Sequence, residues 1–272
     1  MPRVQIGDIG IHYEIHGEGE PILLIAGFTN SAGGWFMQLP ALSKEYRVIA
    51  FDNRGTGQSD KLDIPYTMDE MADDAVGLLD ALGIDAAHIC GVSMGGRIAQ
   101  CIAIRHPQKV ISLVLACTGC GGPHDIAGDA EALKSLAPPR QAQQRAPDEE
   151  EPGPWSNMMS HQFVENNPDI MAQIMAVSLE SPAPPSTFKN HGRASRSHDS
   201  YDRLPEIKTP TLIMSGDADV IVPVENSRLL ADKIPNSELV VFEGMGHCFK
   251  WEAAEAFNRT TLDFLGRHPR SA

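Results

Sequence analysis

Positive charge is scarce in this chain: 22 Lys and Arg face 36 Asp and Glu, a formal net charge of −14 over 272 residues. Nucleic acid and anionic membrane surfaces repel such a protein, so neither is expected as a partner. Long apolar runs are missing too, and no stretch approaches the roughly 18 to 20 residues that span a bilayer. Residues 1–10 read as a strand rather than a basic and then apolar signal segment, so the expectation is a cytoplasmic protein. Cysteine is sparse and odd in number, at five. Cys90 and Cys101 lie in apolar runs, where a reduced thiol packs as a small hydrophobe, and no disulfide framework is expected. Cys117 and Cys120 have C-x-x-C spacing, but no second pair accompanies them; two packed or half-exposed thiols are expected, not a metal site. Disorder is excluded as the default by 42% hydrophobic and 21% charged residues.

What is present is alternation. Short β-rich runs at 4–6, 11–16 and 22–26 are separated by turn residues, among them Gly7, Asp8, Gly10 and Pro21. This opening predicts an antiparallel hairpin edge. A helix near 35–43 and a strand at 47–51 follow. Residues 68–82 carry Met71, Ala75, Leu78, Leu79 and Leu82 at helical spacing and stop at Gly83. A strand at 88–91, a helix at 94–105 and a buried strand at 110–116 continue the pattern. Such order predicts an α/β fold with a mostly parallel sheet and helices on both faces.

Between 119 and 203 the pattern breaks. Prolines cluster at 138, 139, 147, 152 and 154 and again at 182, 184 and 185, with an acidic run at 148–151 that reads as solvated surface. Helical apolar spacing around Met158, Met159, Phe163, Ile170, Met171, Ile174 and Met175 predicts an inserted helical cap. Alternation resumes over 211–215, 224–234, 238–242 and 253–265. The division expected is a core of residues 1–119 and 204–272 with a cap insertion at 120–203.

Gly91, Val92, Ser93, Met94 and Gly95 spell G-x-S-x-G between a predicted strand and a predicted helix. The spacing suits a sharp turn that holds a serine in a strained conformation, with glycines letting strand and helix approach. Serine is a poor nucleophile alone and needs a base within hydrogen-bond reach, plus a third group that orients the base.

This elbow, its place in the alternation, and the D-x-R-G-x-G-x-S stretch from Asp52 to Ser59 resemble the α/β-hydrolase superfamily over nearly the whole chain. The resemblance implies an eight-stranded sheet with an inserted cap, no cofactor and no metal. It also implies the order serine, acid, histidine, which puts the nucleophile at Ser93, the acid at Asp219 and the base at His247. Asp217 is the alternative acid, with turn stabilisation as its other role. Among the remaining histidines, His12, His16, His106 and His268 read as surface or structural residues, and His161, His191 and His198 stay open as substrate contacts. Asp52 and Arg54 belong to a loop that is usually structural. The backbone N–H groups of Met94 and Phe28 are the implied oxyanion donors, although Ala26 stands where the family usually has histidine.

Haloalkane dehalogenases and epoxide hydrolases of this fold carry aspartate in place of Ser93, so acyl transfer to water is the chemistry implied. The chain looks most similar to carboxylesterases and 3-oxoadipate enol-lactonases, on residues 91–96 and on Arg203, Pro205, Pro210 and Thr211. A second likeness is to carbon–carbon bond hydrolases of ring-fission products, through His247, Trp251, Glu252, Phe257 and Asn258; that group usually has tryptophan where Cys248 stands and asparagine at Val92. A non-catalytic small-molecule receptor of the same fold is the rival class, and accessory perhydrolysis would use the same three residues. Met158, Met159, Met171 and Met175, with Phe28, Trp35 and Phe249, either line an apolar pocket for a small ester or lactone or pack internally. Arg193 and Arg196 are candidates for a substrate carboxylate. Oligomeric state is not legible.

Overall fold

The computed structural model describes residues 2–136 and 157–270. The proline cluster at 138–154 and the acidic run at 148–151 lie outside the described residues. Eight strands, β1 (Arg3–Ile6), β2 (Ile9–His16), β3 (Glu20–Ile25), β4 (Tyr46–Phe51), β5 (Ala87–Val92), β6 (Val110–Ala116), β7 (Thr211–Gly216) and β8 (Ser237–Phe242), form one sheet in the order β1-β2-β4-β3-β5-β6-β7-β8. The β1/β2 and β2/β4 pairs are antiparallel and every other pair is parallel.

The helices are α1 (Leu39–Leu42), α2 (Met68–Ala81), α3 (Met94–Arg105), α4 (His161–Asn166), α5 (Pro168–Glu180), α6 (Pro185–Ser197), α7 (Val224–Lys233), α8 (Phe249–Glu252) and α9 (Ala254–Arg267). Side chains alternate across a strand, and the two resulting sets make two separate cores. Leu23, Ile25, Ile49, Phe51, Ile89, Leu113, Leu115 and Ile213 pack against Met71, Leu78, Ile98, Ile102 and Leu230 of α2, α3 and α7. Ile22, Leu24, Val48, Ala50, Cys90, Val114, Leu212 and Met214 face Leu42, Phe257, Phe264 and Leu265 of α1 and α9. The sheet is therefore apolar on both faces, as a parallel sheet covered by helices must be.

Local sequence sets the ends of these elements. A capping box starts α2: Thr67 N–H donates to Glu70 Oε2 at 2.8 Å and Glu70 N–H to Thr67 Oγ1 at 3.2 Å. Gly83, at φ 67, ends it, with Ile84 N–H returning to the Leu79 carbonyl at 2.9 Å. The helix expected near 35–43 is instead a 3-10 turn at Ala32–Trp35 followed by the single turn of α1, because Gly33 and Gly34 disfavour a helix and Pro40 admits one only at its first turn.

Helices α4, α5 and α6 fall between β6 and β7. The apolar spacing announced α4 and α5 but not α6, whose buried residues are Thr187, Asn190, His191 and Ala194. The two ends of the insertion adjoin: Gly121 bridges Asp199, and Ser200 N–H donates to the Cys120 carbonyl at 2.9 Å. Among the described residues no helix is long and apolar enough to cross a membrane.

Candidate active site

Ser93 joins β5 to α3 at φ 56, ψ −120, a region that strongly favours glycine. Close packing sustains the strain. A Cβ on Gly91 would meet the Gly95 carbonyl oxygen at 2.2 Å, and one on Gly95 would meet the Ile25 carbonyl oxygen at the same distance. The turn is tied down by Ser93 N–H to the Ala116 carbonyl and by Thr118 Oγ1–H to the Ser93 carbonyl, both 2.8 Å.

Two further loops at the carboxyl edge of the sheet bring polar groups to Ser93. Asp219 follows β7, and its Oδ1 accepts the N–H groups of Ile221 and Val222 at 2.8 Å each. His247 follows β8. Its Nδ1 lies 2.7 Å from Asp219 Oδ2 and its Nε2 lies 3.0 Å from Ser93 Oγ. With Asp219 ionised, Nδ1 carries the proton and Nε2 presents its lone pair to the serine hydroxyl. Asp219 and His247 are buried while Ser93 is half-exposed, so the hydroxyl is the reachable member of the set. Asp217 is turned away and accepts Gly244 N–H at 2.6 Å.

The loop after β3 runs against the serine: a Cβ on Gly27 would meet the Val92 carbonyl oxygen at 3.2 Å and Ser93 Cβ at 3.3 Å. Neither Phe28 N–H nor Met94 N–H donates to an acceptor among the described residues. Phe28 N–H follows Gly27 and Met94 N–H follows Ser93 in the chain, and Met94 begins α3, where the helix dipole favours negative charge. The arrangement can deprotonate a serine, hold the resulting imidazolium and receive an oxyanion.

Residues around this set fall into three groups. Met158 and Met159 pack with Ile174, Ile221, Cys248 and Trp251, and the Met158 carbonyl accepts Cys248 N–H at 2.8 Å beside His247. Trp35 and Phe249 are fully buried in the core shared by α1 and α9, and Met175 is exposed on α5. Arg193, Arg196 and His161 are exposed, His191 and His198 buried. His12 is also buried, on Asp52 at 2.8 Å, and Arg54 forms a buried bidentate pair with Asp74 at 2.6 and 2.7 Å.

Sequence reasoning gave no role to Glu252, whose oxygens accept Gly246 N–H at 2.9 Å and Ser160 N–H at 2.7 Å, fixing the histidine loop to the insertion. Nor did it single out Lys250. Its buried ammonium donates to the Gly34 carbonyl and sits 4.6 and 4.3 Å from the Trp35 and Trp251 ring centres; burial pushes its pKa down to about 8. Metal-ligating atoms of Cys117, Asp219 and His247 lie within 4.8 Å of one another. Burial pushes the Cys117 thiol well above its ordinary pKa, which holds it as a protonated, weak ligand.

The α/β-hydrolase fold family matches the chain over residues 20–254. The chain belongs to that family. Across 98% of both chains it is 32% identical to the RutD protein of Azorhizobium caulinodans, which is named for carbamate hydrolysis. It is also 33% identical to a 2-hydroxy-6-oxononadienedioate/2-hydroxy-6-oxononatrienedioate hydrolase of Burkholderia vietnamiensis, covering 96% of this chain and 92% of that one. Among solved structures, the enol-lactonase of Burkholderia xenovorans LB400 superposes with a TM-score of 0.82 at 25% identity, over 97% of this chain and 100% of that one. The α/β hydrolases similar to this chain thus differ in the bond named for each, and family membership makes the chain a hydrolase without choosing among them.

Proposed function

We propose that this α/β hydrolase cleaves a small carboxylic ester or lactone through an acyl-enzyme. His247 takes the Ser93 proton as the hydroxyl attacks the carbonyl, Asp219 stabilises the imidazolium, and Phe28 and Met94 N–H groups receive the oxyanion. His247 returns the proton to the leaving oxygen and then activates the water that releases the acid. The observation that carries this reading is the unbroken hydrogen-bonded chain from Ser93 Oγ through His247 to Asp219, at 3.0 and 2.7 Å. Helices α4, α5 and α6 act as a cap, and the Met158 carbonyl lies beside the base, accepting Cys248 N–H.

An acyl group without a carboxylate is favoured by where these five cations stand among the described residues. Arg54 is paired with Asp74 and Arg97 with Asp125, Lys250 donates to Gly34, and Arg193 and Arg196 are exposed. A dienedioate, as named for the Burkholderia vietnamiensis relative, carries two carboxylates that would call for such partners.

A fluorophosphonate probe tests the chemistry: the wild type is expected to be labelled at Ser93 and Ser93→Ala is not. A panel of p-nitrophenyl esters, lactones, a carbamate and a ring-fission product then identifies the bond. Turnover of the ring-fission product with none of the esters or lactones would reject the ester reading.

A further inference from the structure

We propose that His191, carried by the insertion helix α6, is a positioning residue for the oxyanion loop: its Nδ1 accepts Thr29 N–H and fixes the backbone next to the Phe28 donor. This rests on the reading of Ser93 as an acyl-transferring nucleophile.

The loop that follows β3 must hold Gly27 and Phe28 against Ser93. Its ends are anchored by the loop after β4, since Asn53 Nδ2–H donates to the Ala26 carbonyl at 3.1 Å and Ala32 N–H to Asp52 Oδ1 at 2.7 Å. Between the anchors Thr29 sits at φ 55. A β-branched residue is a true outlier there, and such a conformation persists only where its surroundings impose it. Ala26 brings no polar side chain to the loop. The imposing group comes from the insertion: Thr29 N–H donates to His191 Nδ1 at 3.2 Å.

The imidazole is itself held in one state. Its Nε2 lies 3.0 Å from the Arg54 carbonyl oxygen, which can only accept, so the ring proton is on Nε2 and Nδ1 is left as an acceptor. Phe28 and Tyr66 meet the ring at centroid distances of 5.8 Å each, both edge-on. Burial pushes the His191 pKa down to about 4, which keeps the ring neutral at neutral pH. Thr187 on the same helix donates from Oγ1 to the Gly55 carbonyl at 2.7 Å, so α6 is fastened at two points to the loop that anchors the oxyanion loop. The insertion thus supplies part of the apparatus that stabilises the transition state, in addition to any enclosure of substrate.

Three variants separate the two hydrogen bonds. His191→Asn puts an amide oxygen near the Nδ1 position, His191→Gln puts an amide nitrogen near Nε2, and His191→Phe keeps only the ring. With an ester substrate, Gln and Phe are expected to lower kcat about 10- to 100-fold with KM changed less than about 3-fold, and Asn to retain most of the activity. Affinity for a trifluoromethyl ketone, which forms an oxyanion on Ser93, should fall in step with kcat. The assignment is overturned if Gln is as active as Asn, if kcat is unchanged in all three, or if KM alone moves. Wild-type protein that resists the fluorophosphonate would instead refute the hydrolase reading, and the His191 role with it.

Discussion

Asp219 and His247 meet at 2.7 Å through Oδ2 and Nδ1, while Asp219 Oδ1 is held by the amides of Ile221 and Val222. Both oxygens of the carboxylate are thereby fixed, one by the backbone of its own loop and one by the imidazole. A carboxylate so bound cannot rotate away, and the ring opposite it keeps Nε2 on Ser93.

Replacing Asp219 by Asn keeps the shape but offers an amide where the imidazole proton needs an acceptor. We expect kcat to drop by about 10³ to 10⁴-fold with the melting temperature nearly unchanged, following the behaviour of such triads. Asp217→Asn is expected to leave kcat within about 2-fold and to cost about 1 kcal/mol of stability by weakening the Gly244 contact. Steady-state kinetics beside urea unfolding of both variants checks this; equal kinetic losses would contradict the assignment of Asp219.

The elbow makes a steric prediction. Gly95→Ala drives a methyl group into backbone oxygens of Ile25 and Ala26 that cannot move aside, so no soluble folded protein or a loss of about 3 kcal/mol or more is expected. Gly266, in α9, has nothing within 4 Å of an added Cβ. Gly266→Ala should therefore stabilise by about 0.5 to 1 kcal/mol, read from the shift in the urea midpoint.

Much of this was legible in one sequence because its signals are local. Apolar runs of β3, β5 and β6 and the helical spacing of α2 and α3 report burial directly, and glycines at 91, 95 and 96 report a crowded turn. Asp219 and His247 followed from the order of motifs, not from any local pattern, since nothing in residues 217–219 says which carboxylate turns inward. Helix α6 was invisible because its buried face is polar: Thr187 and His191 pair with backbone groups over 130 residues away in the chain, and Asn190 is buried between them. Trp35 and Phe249 were named for a pocket on aromatic character alone, and residue type does not tell which side of a sheet a loop will fold onto.

Acid sensitivity should reveal the neutral histidines. Burial pushes both His191 and His198 down to about 4 from an ordinary 6.5. The unfolded chain therefore binds more protons than the folded one between those values, and stability rises with pH across that window and is lost as pH falls through it. Each contributes about 2 to 3 kcal/mol of this loss between pH 7 and pH 4.5. Urea unfolding of wild type and His198→Gln at both values should show a smaller acid penalty in the variant; equal slopes would contradict it.

Thiol chemistry offers an independent check on burial. All five cysteines are free and buried, and desolvation pushes Cys90 and Cys248 to about 12 and Cys120 to about 11. A chromogenic disulfide reagent at pH 8 should titrate almost no thiol in the native protein and all five in denaturant, because the thiolate is the reactive species. Rapid native reaction of any of the five would contradict their burial.

The pinched entry and exit of the insertion, where Gly121 bridges Asp199, carry a consequence for how such enzymes diversify. Because that excursion leaves and rejoins the sheet at nearly one point, a recombination event or a designer can exchange the whole segment with a homologue's while every parallel strand stays in register. The graft's activity would then depend on one thing beyond its fit over the serine: whether the donor segment brings an acceptor for the Thr29 amide. Transplanted segments that lack such an acceptor are expected to lower turnover whatever the substrate.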